Sequence, residues 1–172
     1  FDGGSIFVQK NGRTVRELLF TDTELSYSAN SLSILSTHLI NTPNDLTVFS
    51  GSAERPEQYA LFVNTDGTIA NFHSIRTEKL AGWTLWEQTG ASFKSVEAVG
   101  TRCFFTVLRG SDYFLEELGS EDNTVDHSTT YTIGSAGLTF SGLTPYASKT
   151  VAVRTGDYYL GEDESRGNLL TY

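Results

Sequence analysis

Four carboxylates, Asp66, Asp112, Glu116 and Glu117, have the chemistry for acid–base work of the glycosidase kind. Their settings argue against that use. Asp66 and Asp112 fall in predicted hairpin turns, where Asp is favoured for its backbone hydrogen bonding. Glu116 and Glu117 are adjacent, so a strand sends them to opposite faces. The histidines, His38, His73 and His127, show no short metal-ligand spacing. His38 is expected on the apolar side of a short helix, as a core histidine. Asp126-His127-Ser128 uses triad residue types, but three neighbours on a strand cannot converge, and no Gly-x-Ser-x-Gly elbow occurs. Glu162-Asp163-Glu164 lacks the alternating oxygens and the glycine of a calcium loop and reads as a solvated turn. Nucleotide phosphate loops are missing, and Gly3-Gly4 does not make one. The lone Cys103, in Arg-Cys-Phe-Phe-Thr-Val, reads as a buried strand thiol. These residues call for no catalytic group, metal or cofactor.

Aromatic side chains are the remaining resource. Tyr59, Trp83 and Trp86 stand out as contact or core anchors. The two tryptophans are three apart on a predicted strand, so they face opposite ways and one of them is open to exposure. An exposed tryptophan would meet a glycan or another subunit.

The chain that must position these groups has 172 residues, with 12 Lys+Arg against 21 Asp+Glu and a net charge of -9. Both parts are acidic: 9 basic against 14 acidic residues in 1–118, and 3 against 7 in 119–172. This argues against a protein that grips nucleic-acid phosphates. Ser and Thr number 18 and 22, a composition that suits a β-rich domain. No apolar run is long enough to span a membrane as a helix. The chain begins at Phe1 and holds no Met, which reads as a segment of a longer protein.

Alternation of apolar and polar residues predicts strands throughout. Ser5 to Gln9 and Thr14 to Phe20 form an opening hairpin, with Asn11-Gly12 suited to a type I′ turn. Leu32, Leu35 and Leu39 then follow helical spacing, predicting one short helix over 31–40, capped by Asn30 or Ser31 and ended before Pro43. Further strands are expected at 45–50, 59–64, 68–75, 81–88, 93–99, 102–109 and 113–118, with a turn at 53–57. The polar stretch beginning Gly119-Ser120-Glu121-Asp122-Asn123 marks a boundary. The predicted organisation is a β domain over 1–118, a linker over 119–127 and a small β-module over 128–172. Within that module strands are expected at 128–133, 137–140, 149–154, 157–160 and 168–172, with turns at Gly156-Asp157 and 162–167. The fold class is all-β: partial, propeller-like antiparallel blades with one short helix, followed by the small module.

Several blocks occur in a telling order. They are Ser5-Ile6-Phe7-Val8-Gln9 with Gly12-Arg13-Thr14-Val15-Arg16-Glu17; Tyr27 with the run Asn30 to Ile40; Tyr59-Ala60-Leu61-Phe62-Val63 with Asp66-Gly67-Thr68 and Gly82-Trp83; and Phe93-Lys94-Ser95-Val96 with Val107-Leu108-Arg109 and the run Tyr113 to Leu118. Over residues 4–118 this order resembles the tail nozzle, or tail tubular protein B-like, family of tailed bacteriophages, in its propeller region. The last 50 residues look like the small β-module that often follows, similar to a domain of ubiquitin-activating enzymes. The resemblance implies a non-catalytic structural protein of the virion tail. Its implied partners are further copies of the chain or other tail proteins, around a channel through which DNA passes without specific binding. A piece of about two blades would leave open sheet edges for another chain to cover. A receptor- or glycan-binding module of the virion is the alternative, and a glycosidase the third reading.

Overall fold

The computed structural model describes residues 4–50, 58–119, 128–130, 139–140, 150–155, 158–164 and 170–171. The chain divides into two compact units, Phe1–Asp122 and Asn123–Tyr172. The regular secondary structure of the described residues is nearly all strand, and every strand pairing is antiparallel.

The first unit holds three sheets in chain order. The first is β1 (Ser5–Val8), β2 (Val15–Thr21) and β3 (Ser26–Ser31). The second is β4 (Asp45–Ser50), β5 (Gln58–Val63), β6 (Ile69–Ile75) and β7 (Leu80–Trp86). The third is β8 (Ala91–Val99), β9 (Arg102–Arg109) and β10 (Asp112–Glu117). Within each of these sheets every strand pairs with the next along the chain, the arrangement that hairpin connections favour.

The middle sheet is buried on both faces. Leu61, Val63, Ile69 and Phe49 pack with Val96, Cys103, Phe105 and Val107 of the third sheet. On the other face Ala60, Phe62, Ala70 and Phe72 pack with Val15 and Ile40, backed by Ile6 and Val8 of the first sheet. Hence the unbroken apolar run at 59–63, where a half-exposed strand would alternate.

The first and second sheets repeat one another. Val8 pairs with Val15, Leu18 with Ala29 and Thr21 with Ser26. In the same places Val63 pairs with Ile69, Phe72 with Trp83 and Ile75 with Leu80. The turns match as well. Gly12 N–H donates to the Gln9 carbonyl at 2.8 Å, and Gly67 N–H to the Asn64 carbonyl at 3.0 Å. Both glycines have positive φ, +70° and +86°. Leu25 and Lys79 sit at the same point of the following turn with φ of 49° and 53°. The repeated turns also hold the start of the next sheet: Thr42 N–H reaches the Gly12 carbonyl, and Phe93 N–H the Gly67 carbonyl. In this repeat β4 has no counterpart beside β1 among the described residues.

Three local expectations are corrected. The helix predicted over 31–40 contracts to a 3-10 turn, Thr37–Leu39, while Asn30 and Ser31 belong to β3. The groups a helix would use internally are bonded elsewhere. Leu32 N–H donates to the Val15 carbonyl, Ser33 Oγ accepts the Val15 N–H, and the Leu32 carbonyl accepts Trp83 Nε1–H. His38 is exposed rather than a core histidine. The opening hairpin is not type I′, since only Gly12 of the Asn-Gly pair has positive φ. Asn11 instead folds the loop through its side chain, Oδ1 accepting from the N–H groups of Arg13 and Thr14.

In the second unit β11 (Thr139–Phe140) pairs with β14 (Leu170–Thr171), and β12 (Thr150–Thr155) with β13 (Tyr158–Glu164). Glu162-Asp163-Glu164 continue β13 opposite Ala152, Val151 and Thr150, so they are strand and not turn. Residues 128–130 form no strand. The predicted turns at 53–57 and Gly156-Asp157, most of the 119–127 linker, and His127 of the Asp-His-Ser run lie outside the described residues.

Candidate functional site

The three aromatic anchors all lie against the cores of the first unit. Tyr59 stacks on Phe49 at 5.0 Å between ring centres. Trp83 sits 5.0 Å from Phe72 and 5.6 Å from Phe62, and its Nε1–H donates to the Leu32 carbonyl at 2.8 Å. Trp86 meets Phe105 edge-on at 6.4 Å. The two tryptophans therefore serve opposite faces of the middle sheet, one toward each neighbour. Neither is an exposed platform; both are half-buried.

Asp66, Glu116 and Glu117 are committed to local bonds. Asp66 Oδ2 accepts from Asn41 Nδ2, and Oδ1 from the Thr68 N–H and hydroxyl. Partial burial pushes this carboxyl up, but the Asn41 and Thr68 hydrogen bonds outweigh it and hold it below its ordinary value. Arg109 donates to both oxygens of Glu116 and to Gln88 Oε1. Arg102 grips Glu117 through Nε and Nη2, each at 2.6 Å, and lies over the Phe104 ring. The Arg102 hydrogen bonds hold the Glu117 carboxyl below its usual range. Asp112 opens β10 and lies opposite Arg109 in the strand register, after a tight turn whose Gly110 has positive φ. Asp45 is used as a brace: its Oδ2 accepts the Val96 N–H at 3.0 Å, joining the second sheet to the third. Burial, aided by the charge of Glu97, pushes the Cys103 thiol up to about 12. At neutral pH it is a core group and not a nucleophile. Among the described residues no three His, Cys, Asp or Glu gather as a metal site. No described helix is long and apolar enough to cross a membrane.

What the structure adds is a pair of apolar sheet faces that no other described sheet of the first unit covers. On the first sheet, residues paired across strands share a face. The face turned from the core carries Phe7, Leu18, Phe20 and Tyr27, all exposed, with Phe20 and Tyr27 in edge-to-face contact at 5.2 Å. On the third sheet the outward face carries Phe104, Leu108, Tyr113 and Leu115, of which Tyr113 and Leu115 are largely exposed. A depression lined by Ile6, Phe7 and Val8 of β1 and by Pro43, Asn44, Asp45 and Leu46 runs along the open side of β1.

No protein-family model and no curated protein matches the chain. The candidate site accordingly rests on geometry: the two outward faces and the edge of β1. Sequence reasoning passed over Phe7, Leu18, Phe20, Tyr27 and Leu115. A signal was present. Thr14 to Phe20 and Arg102 to Arg109 carry apolar residues at both odd and even positions. Such strands need cover on both faces.

Proposed function

We propose that the chain is a non-catalytic structural element of a tailed-phage virion, of the tail nozzle kind, working through contacts with other copies or other tail proteins. The observation that carries this reading is the pair of outward apolar faces on a stack of three sheets. Isolated apolar residues on a surface are ordinary, but two such faces, on the first and third sheets, favour protein contacts. In this reading the three sheets are adjoining blades of an incomplete propeller, each made of strands that follow in chain order. The net charge of -9 supports a role beside DNA in transit, because an acidic surface repels the phosphate backbone.

The test is location. Gold-conjugated antibody against this chain is applied to particles purified from cultures expressing its gene. Gold should decorate the tail. Label confined to free protein, with bare particles, would overturn the assignment.

A further inference from the structure

We infer that the tip of the first hairpin, Lys10 to Arg13, is a contact point for a nucleic-acid phosphate backbone, met without regard to base sequence. The inference goes beyond the virion reading, in which charge only keeps DNA away.

The repeat isolates the feature. Register aligns residues 5–16 of the first hairpin with 60–70 of the second, with Arg13 as the inserted residue. Residues 5–16 carry Lys10, Arg13 and Arg16 and no acid, while 60–70 carry Asp66 and no base. Equivalent hairpins of one acidic chain thus stand at +3 against -1, a difference of four charges. Turn chemistry does not require the change. Asp66 Oδ1 accepts the Thr68 N–H at 3.0 Å, and Asn11 Oδ1 accepts the equivalent Thr14 N–H at 3.2 Å. Asparagine keeps the bond and drops the charge.

The cations are open to a partner. None of the ion pairs among the described residues involves Lys10, Arg13 or Arg16. Arg16 is tied to Gln9 Oε1 and to the Ala29 carbonyl, at 3.0 and 2.9 Å, which leaves Lys10 and Arg13 as the contacts. Exposure of the tip does not depend on what lies over the sheet faces. The middle sheet has sheets packed on both faces, yet its own tip residues Thr65 and Asp66 are exposed. The tip is also firmly seated. Thr42 N–H donates to the Gly12 carbonyl at 2.8 Å, and a Cβ on Gly12 would come within 2.9 Å of Thr42 Oγ1.

Residue types choose the partner. Lysine, arginine, asparagine, glutamine and threonine are side chains that meet phosphate oxygens. Lysine is depleted from the cores of protein–protein contacts, and residues 9–14 hold no apolar side chain on which to build one. Two cations make a weak, salt-sensitive contact rather than a tight site.

Fluorescence anisotropy of a labelled DNA duplex tests this, with the whole chain at about 20 mM salt. Wild type should bind, with a slope of about -2 for log affinity against log salt. Lys10→Gln/Arg13→Gln should bind at least about tenfold more weakly and lose nearly all of that slope, about 1 for each cation. Lys79→Gln/Lys94→Gln removes the same charge from exposed residues elsewhere and should bind as wild type does. All four side chains are exposed, so both variants should fold, which tryptophan emission verifies. Four results would overturn the inference: wild type that leaves the duplex free, a tip variant that binds as wild type does, a control variant that loses as much as the tip variant, or polyglutamate that displaces the duplex at equal charge. The last would make the partner an acidic protein. None of them bears on gold decoration of tails, so the two readings fail separately.

Discussion

The first and second sheets share register, turn bonding and even the unusual left-handed residues Leu25 and Lys79, yet they live in different surroundings. Phe62 is wholly buried, while its counterpart Phe7 is 38% exposed. The same backbone therefore encloses one sheet and leaves the other open. What differs is the neighbour. The middle sheet has sheets on both sides and β4 along β5; the first has cover on one side and none along β1 among the described residues. The lesson is that side chains track the packing a sheet meets, while register and turn chemistry persist in the repeat.

The largest effect should come from truncating the paired phenylalanines. Phe62→Ala empties a closed site and should cost about 3–5 kcal/mol, against less than about 1 kcal/mol for Phe7→Ala in the dilute chain. Urea unfolding followed by the two tryptophans, both in the first unit, reads this. Equal costs would break the comparison.

Trp83→Phe comes next. It keeps an aromatic ring but leaves the Leu32 carbonyl without its 2.8 Å donor, at about 1–3 kcal/mol. The same unfolding curve measures it, and a neutral result would remove the clasp between β7 and the end of the first sheet.

Leu25→Gly and Lys79→Gly sharpen the likeness. Both residues hold a left-handed conformation that glycine adopts without steric cost. Each change should add about 0.5–1 kcal/mol, and the two gains should agree, since the turns are equivalent. Opposite signs in a thermal melt would show that the turns are alike only in outline.

The smallest effect concerns pH. Glu117 has a lowered folded value against an ordinary 4.5. Its contribution is therefore present above about pH 4.5 and is lost as pH falls through the lowered value. Glu117→Gln should remove that part of the acid dependence in a pH series of melting temperatures. The pair is solvent-exposed, so the change is expected to be slight.

Much of the strand order was legible because alternation and turn residues are local signals. The limits of β4 and β9 fall where the pattern places them, at 45–50 and 102–109. β3 escaped because Ser-Tyr-Ser-Ala-Asn-Ser has scarcely an apolar side to display. The 31–40 run misled for the opposite reason. Leu32, Leu39 and Ile40 are spaced like a helix face, but they belong to a connection that packs on the core while Leu35 points outward, 89% exposed. The repeat was hard to see because its shared residues are few. They include Phe7 with Phe62, Val8 with Val63, Gly12 with Gly67, Thr14 with Thr68, and Thr23-Glu24 with Thr77-Glu78, interrupted by the extra Arg13. The outward faces were hidden by a different limit. A sequence shows that a strand is apolar on both sides, but it does not show which side has been left without a neighbour.

The central claim, that the first sheet repeats the second with no counterpart of β4 beside β1 among the described residues, is tested most directly by amide hydrogen exchange in the dilute chain. Gln9 N–H bonds the Thr14 carbonyl, so strand alternation turns the amides of Ile6 and Val8 toward the open side of β1. Their counterparts Leu61 and Val63 face β4. Ile6 and Val8 should exchange rapidly while Leu61, Val63 and Phe62 remain protected, with Phe7, bonded to β2, slower than its two neighbours. Protection of Ile6 and Val8 equal to that of Leu61 and Val63 would mean that the edge is already filled, and would contradict the account.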